Sequence, residues 1–328
     1  MKSKALPALA TKYLRLLEEM KKIEEEYEQG FLTDSERHKA RVEIQTKINA
    51  VMKMAKFFME GIDPDQSPRK IKDLIGVSYM GDTTNSVKTA KGEAFGVMTY
   101  IVYLLSGKMS GIQMCKFASP GCLAACLNIS GQALIGFHSV GLSNHCLIPR
   151  LIRTWLVAWN RPVAEKIIEH EMLLAKKRAV KADMKFAVRL NGTSDLWWGS
   201  LIKRHPDLTF YDYTKSPFNM RLSDKFDNYH ITFSYAGPNN VKHCAEALAR
   251  GHNIAIPVVK GDIDRLLESK RGYTLDDSDA RFLDSDEIRL GLLTVKHTPG
   301  TREGIEAGFL LDGEGFNKLE QALGLAAA

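Results

Sequence analysis

The chain has 328 residues, 45 Lys and Arg against 39 Asp and Glu, a net charge of +6 and 45% apolar side chains. That length supports one large α/β domain or two smaller ones, and the ordinary composition excludes a disordered, collagen-like or disulfide-scaffold protein. The modest charge permits a polyanionic partner without requiring one, because basic and acidic residues interleave along the chain. The longest apolar run, "AFGVMTYIVYLL", is too short to span a bilayer, and "MKSKALPALATKY" lacks the apolar stretch of a secretion signal. A cytoplasmic protein with no membrane contact is expected, where clustered cysteines read as metal-binding or catalytic.

Residues 1–62 read as an antiparallel helical hairpin. Tyr13, Leu16, Met20, Ile23 and Tyr27 recur every three or four positions. After the "EQGFLTDSE" break, Ile44, Ile48, Val51, Ala55 and Phe58 repeat that spacing, with Asp34 or Ser35 as the expected cap. Its narrow apolar stripe suits docking on the main domain or on a protein partner. "GIDPDQSPRK" (61–70) reads as a linker into a second domain over 70–328.

Beyond residue 70, β-prone and helical runs alternate. "GVMTYIVYLL" is strand-like, and "WNRPVAEKIIEHEMLLAKKRA" is a helix with Asn160 or Arg161 near its cap. "KFAVRL", "LTFYDY", "YHITFSY", "HNIAIPVV" and "EIRLGLLTV" follow, separated by helical signals. The expected fold class is α/β: a mostly parallel sheet in a partial or closed (β/α) barrel, preceded by the helical hairpin.

Polar residues gather where these strands end, at "NGTSD", "YTKSP", "SYAGPNN" and "KGD". In such folds ligands and catalytic groups collect at that edge. Asp195 is a candidate acid or base, or else a cap for a helix starting near Leu196. Alternation in "FYDYTK" sends Asp212 and Thr214 one way, Tyr213 and Lys215 the other, and one pair is expected in the site. Ser234 and Tyr235 extend the same pattern. Trp197 and Trp198 offer a base-stacking surface, or half-buried core. "NSVKTAKGE" lacks phosphate-loop spacing. "DDSDARFLD" fits no calcium loop and reads as a segment anchored by Arg281 pairing with Asp279 or Asp284.

Three of the five cysteines fall within "CKFASPGCLAAC", with Cys115, Cys122 and Cys126 spaced C-x6-C-x3-C just after the first strand-like run. Pro120 and Gly121 can turn Cys122 back toward Cys115. Three thiolates converging on one point repel unless a cation holds them. Three readings stand side by side. One is zinc, completed by His138, His145 or Cys146. Another is a [4Fe–4S] cluster with one open iron. The third is plain packing of small residues in an apolar turn. Cys244, on an amphipathic helix, reads as core.

In chain order, "NSVKTAKGEAFGVMTYIVYL", "CKFASPGCLAACLNISG", "FAVRLNGTSDLWW", "FYDYTKSP", "NYHITFSYAG" and "DDSDARFLD" resemble the phage-encoded gene product 88 family. The cysteine loop is similar to that of another phage group, with a C-x6-C-x2-C-Y pattern, related to radical S-adenosylmethionine enzymes. The resemblance implies a barrel-like fold with a [4Fe–4S] cluster on Cys115, Cys122 and Cys126 and S-adenosylmethionine as cofactor, zinc being the alternative. The spacing departs from the C-x3-C-x2-C of those enzymes, and Ala125 stands where they carry an aromatic residue. Their glycine-glycine-glutamate segment is replaced by "NGTSD", which hands cofactor binding to Asn191, Thr193, Ser194 and Asp195, with Ser234 beside them. The expected activity is a radical reaction on a nucleotide or nucleic acid, with Asp195, Tyr213 and Lys215 as catalytic candidates. The alternative is a non-catalytic, metal-stabilised binding module that docks a phage or host partner through the hairpin.

Overall fold

The structure, a computed structural model, describes residues 4–83, 92–126, 147–284, 287–295 and 300–325. The chain divides into two compact units. One takes residues 1–80, 110–112 and 135–170; the other takes 81–109, 113–134 and 171–328. Among the described residues no helix is long and apolar enough to cross a membrane.

The first unit is helical. Helices Ala5–Glu28 and Asp34–Glu60 pack on one another, and Glu24 joins them by accepting from Arg37 Nε at 2.9 Å. The cap of the second helix is Thr33 rather than Asp34 or Ser35. Its hydroxyl accepts from Glu36 N, and the Glu36 carboxylate accepts from Thr33 N. Only Thr33 has a glutamate three residues on, which this reciprocal cap requires, whereas Asp34 falls in the first turn and favours the helix dipole. The predicted stripe is buried at Tyr13, Leu16, Ile44, Ile48, Val51 and Ala55, with Met59 taking the place expected for Phe58. Helix Leu147–Trp159 covers that stripe: Trp155 meets Tyr13 edge-on at 5.4 Å, and Asn160 donates to the carbonyls of Met59 and Ile62. Within the segment read as a linker, Ser67 caps a short helix, Pro68–Ile75.

The second unit is built on an eight-stranded sheet: β1 (Gly81–Asp82), β2 (Val97–Val102), β3 (Lys185–Arg189), β4 (Thr209–Thr214), β5 (Tyr229–Ser234), β6 (Asn253–Val258), β7 (Tyr273–Thr274) and β8 (Leu290–Thr294). Their order is β1-β2-β3-β4-β5-β6-β8-β7. All neighbours are parallel except β1 with β2. The sheet does not close, so the closed-barrel alternative is corrected to an open, mostly parallel sheet. The central strands read as near-continuous apolar, β-branched runs because both their faces are covered. Two-residue strands such as β1 and β7 carry no comparable signal, and neither was expected. Buried Glu171 fixes the antiparallel edge by accepting from Gly81 N and from the Tyr100 hydroxyl at 2.9 Å. Cys244 is fully buried among Phe233, Ile254 and Ile256, as core.

Candidate active site

The C-terminal ends of β3 to β6 and β8, together with the cysteine turn, line one cavity of about 290 Å³. All ten residues singled out from the sequence as catalytic, cofactor-binding or metal-binding lie on its wall: Cys115, Cys122, Cys126, Asn191, Thr193, Ser194, Asp195, Tyr213, Lys215 and Ser234. Three of the four polar strand ends reach it. The fourth, "KGD", stays out because Lys260 begins the helix Lys260–Glu268. Of the two alternating pairs on β4, Tyr213 and Lys215 enter, while Asp212 and Thr214 are buried in the protein.

The segment after β3 is held from several sides. Gly192 N donates to Val102 O, the Thr193 hydroxyl to Leu104 O and Asp195 N to Met114 O. A methyl on Gly192 would stand 2.7 Å from both Ile101 Cγ2 and Val102 O, so only glycine lets this segment lie against β2. Asn191 is occupied internally. Its Oδ1 accepts from Ser194 Oγ, Leu196 N and Trp198 Nε1, and its Nδ2 donates to Leu196 O and Asp212 Oδ2. Asp195 accepts from the Thr214 hydroxyl at 2.6 Å, from Lys215 N and from Asn219 Nδ2. It ties β3 to β4 and caps no helix at Leu196; the next helix, Gly199–Arg204, starts after Trp198. Burial pushes the Asp195 carboxyl up, against the pull of Lys215. Among the described residues, no hydrogen bond from the Lys215 ammonium, the Tyr213 hydroxyl or the Ser234 hydroxyl is formed, which leaves these groups able to meet a ligand. Trp198 is fully buried and Trp197 packs against Phe226 and Tyr229, so the pair serves the core rather than a stacking surface.

Asp212 lies behind this segment and accepts from Asn191 N at 2.7 Å and from the Tyr229 hydroxyl at 3.1 Å. Burial pushes its carboxyl up to about 7, with Arg189 pulling the other way. A carboxyl raised by folding favours the protonated native state, so its contribution to stability is full below about pH 4 and is lost as pH rises toward 7. Asp212→Asn should therefore gain on the wild type between pH 5 and pH 8, by on the order of 1–3 kcal/mol. Urea unfolding of both proteins at each pH checks this, and a constant difference across the range contradicts it.

The cysteine turn is positioned from both ends. Ser119 caps the helix Pro120–Ala124 by accepting from Cys122 N, and Cys126 Sγ lies 2.8 Å from the Ser106 hydroxyl. Cys115 Sγ stands 4.0 Å from Thr193 O. All four described cysteines are free. Burial pushes the Cys115 thiol up to about 11 and raises Cys122 too, with Lys215 opposing both shifts. Binding a metal here would thus release protons. Three thiols, the soft donor type that zinc and iron–sulfur centres use, share one cavity wall. They do not close around a point, and among the described residues no three His, Cys, Asp or Glu side chains stand at single-ion spacing. Zinc bonds of 2.3 Å would draw tetrahedral thiolates to about 3.8 Å from one another. His138, His145 and Cys146, the candidate fourth ligands, lie outside the described residues, as does most of "NSVKTAKGE".

Three charged residues of the cavity wall, Arg189, Asp276 and Asp279, were not anticipated from the sequence as lining it. Arg189, 4% exposed, donates from Nη1 to both carboxylate oxygens of Asp279 at 2.8 and 2.6 Å and lies 4.7 Å from the Tyr213 ring. The Tyr211 hydroxyl also donates to Asp279. Asp279 is thus claimed by Arg189, and Arg281 instead pairs with Asp284 at 3.4 Å. The available signal was a charge closing the buried run "KFAVRL", which demands a buried partner.

Apolar side chains, among them Leu275, Leu293, Phe309 and Leu310, form much of the rest of the wall, with Ser106, Asp276, Ser278 and Thr294 between them. No curated protein and no solved structure matches the chain. The family model described as gene product 88 matches residues 77–309, a span that includes the whole cavity wall but for Leu310. On that match, the chain belongs to the phage gene product 88 family.

Proposed function

We propose that this protein is an iron–sulfur enzyme of the radical S-adenosylmethionine type, acting on a nucleotide or nucleic acid. The carrying observation is the placement of Cys115, Cys122 and Cys126. They sit on the segment that follows the first of six sequential parallel strands, β2 to β6 and β8, and face the cavity at the C-terminal ends of those strands. We read these strands as a partial (β/α) barrel, in which that end would be the reactive one. Three cysteines would hold a [4Fe–4S] cluster and leave one iron open. When bound, the cluster supplies one electron for reductive cleavage of S-adenosylmethionine. The chain's own residues bind and orient. The backbone and hydroxyls of 191–195 line one side, Ser234 another, and Lys215 and Tyr213 offer a cation and a proton donor on the cavity wall. The nucleotide reading rests on the net charge of +6 and the phage family.

Zinc in a non-catalytic binding module is less well supported. The apolar stripe that would dock a partner is covered by Leu147–Trp159 within its own unit. The test is release of 5′-deoxyadenosine and methionine from S-adenosylmethionine by oxygen-free protein reduced with dithionite. Cys122→Ala should lose both the iron and the cleavage. Full iron in that variant would remove the three-cysteine assignment.

A further inference from the structure

We infer that Lys215 is the electrostatic partner of the three cysteines and raises the reduction potential of the cluster they hold. This rests on the iron–sulfur reading above. The position of Lys215 is set by the sheet: β4 ends at Thr214, and alternation turns Tyr213 and Lys215 toward the cavity that Cys115, Cys122 and Cys126 also line. Its ammonium forms no hydrogen bond or ion pair among the described residues. The carboxylate beside it does not supply one, because Asp195 is held by the Thr214 hydroxyl, by Lys215's own backbone N–H and by Asn219. The other cation on the wall, Arg189, pairs with Asp279, and the remaining carboxylate, Asp276, accepts from Thr294 N. Among the described residues of the wall, Lys215 is therefore the cation left without an ion pair.

A cation in a half-buried cavity is screened less than one in bulk water, so its interaction with nearby sulfur charge is stronger than at an exposed site. Reduction adds one electron, and so one negative charge, to a centre already carrying thiolate ligands. A fixed positive charge stabilises the reduced form more than the oxidised form and moves the potential upward, net charge near the cluster being one of the determinants of its potential. The electron comes from a low-potential one-electron donor, dithionite in the experiment, and no covalent bond forms or breaks.

The test is an equilibrium redox titration of the full chain, loaded with iron and sulfide and followed by visible bleaching and electron paramagnetic resonance. Wild type is compared with Lys215→Met, Lys215→Gln and Lys215→Arg at equal iron content. At the wild-type midpoint, the reduced-to-oxidised ratio should fall at least tenfold in Lys215→Met and Lys215→Gln, about 59 mV for a one-electron couple. Lys215→Arg should stay within threefold of wild type. An unmoved midpoint in either iron-loaded neutral variant overturns the inference, as does an equal shift in Lys215→Arg, which would mark a packing effect. Wild-type protein that takes up no iron would instead overturn the functional reading and the inference with it.

Discussion

Gly300→Ala should dislodge the cysteine turn and destabilise the second unit by about 3 kcal/mol or more, at the upper end of what overpacking costs. The backbone of Gly300 has φ −93, which alanine adopts freely, so the effect is one of space alone. A methyl there would overlap the carbonyl group of Ala124, at the end of the helix that carries Cys122. The contact continues along the helix Thr301–Glu306. A methyl on Gly304 would lie 2.9 Å from Leu310 Cδ1 and 3.0 Å from Ala125 Cβ, and one on Gly121 would lie 2.8 Å from Ala307 Cβ. Three glycines thus let two short helices meet backbone to backbone. The Tyr235 hydroxyl pins the turn after the second of them by donating to Gly308 O at 2.8 Å. Urea unfolding and iron loading of Gly300→Ala check the prediction. Wild-type stability together with full iron would show that this clasp does not hold the cysteines.

Asp279→Ala should cost about 3–5 kcal/mol, the usual price of leaving one member of a buried ion pair alone. Among the described residues Arg189 forms no other ion pair, its Nε is already buried without a hydrogen bond, and the Tyr211 hydroxyl would lose an acceptor as well. The loss should be partly reversed in the double variant Arg189→Met, Asp279→Leu, which removes both charges and restores apolar contact with Phe282 and Tyr211. Denaturant midpoints of the single and double variants give the coupling. If the double variant is no more stable than Asp279→Ala, the pair is not what holds the 276–284 segment against β3 and β4.

How much of this was legible in the sequence follows from the reach of each signal. The six parallel strands were readable because a strand buried on both faces must be apolar over its whole length, as in "VMTYIV" and "NIAIPV". Position at a strand end brought Lys215, Tyr213 and Ser234 to the cavity, since the period of two and the polarity of the sheet are both local properties. Hydrogen-bond roles were not legible. Asn191 and Asp195 looked like ligand-binding groups, yet their side chains are spent on Trp198, Asp212, Thr214 and Asn219, partners up to 24 residues away. The Arg189–Asp279 pair spans 90 residues, and no local pattern encodes such a contact. The cap at Thr33 was readable in principle from T-x-x-E, and choosing Asp34 or Ser35 overlooked the glutamate that decides it.

Iron and acid-labile sulfide measured on protein purified without oxygen, together with a visible spectrum, test most directly whether Cys115, Cys122 and Cys126 form a catalytic centre. About four irons and four sulfides per chain, with a broad visible absorption lost in Cys122→Ala, are the expected result. A colourless protein with one zinc, or with no metal after reconstitution, would contradict it and leave the three cysteines as a structural clamp or as packing in an apolar turn.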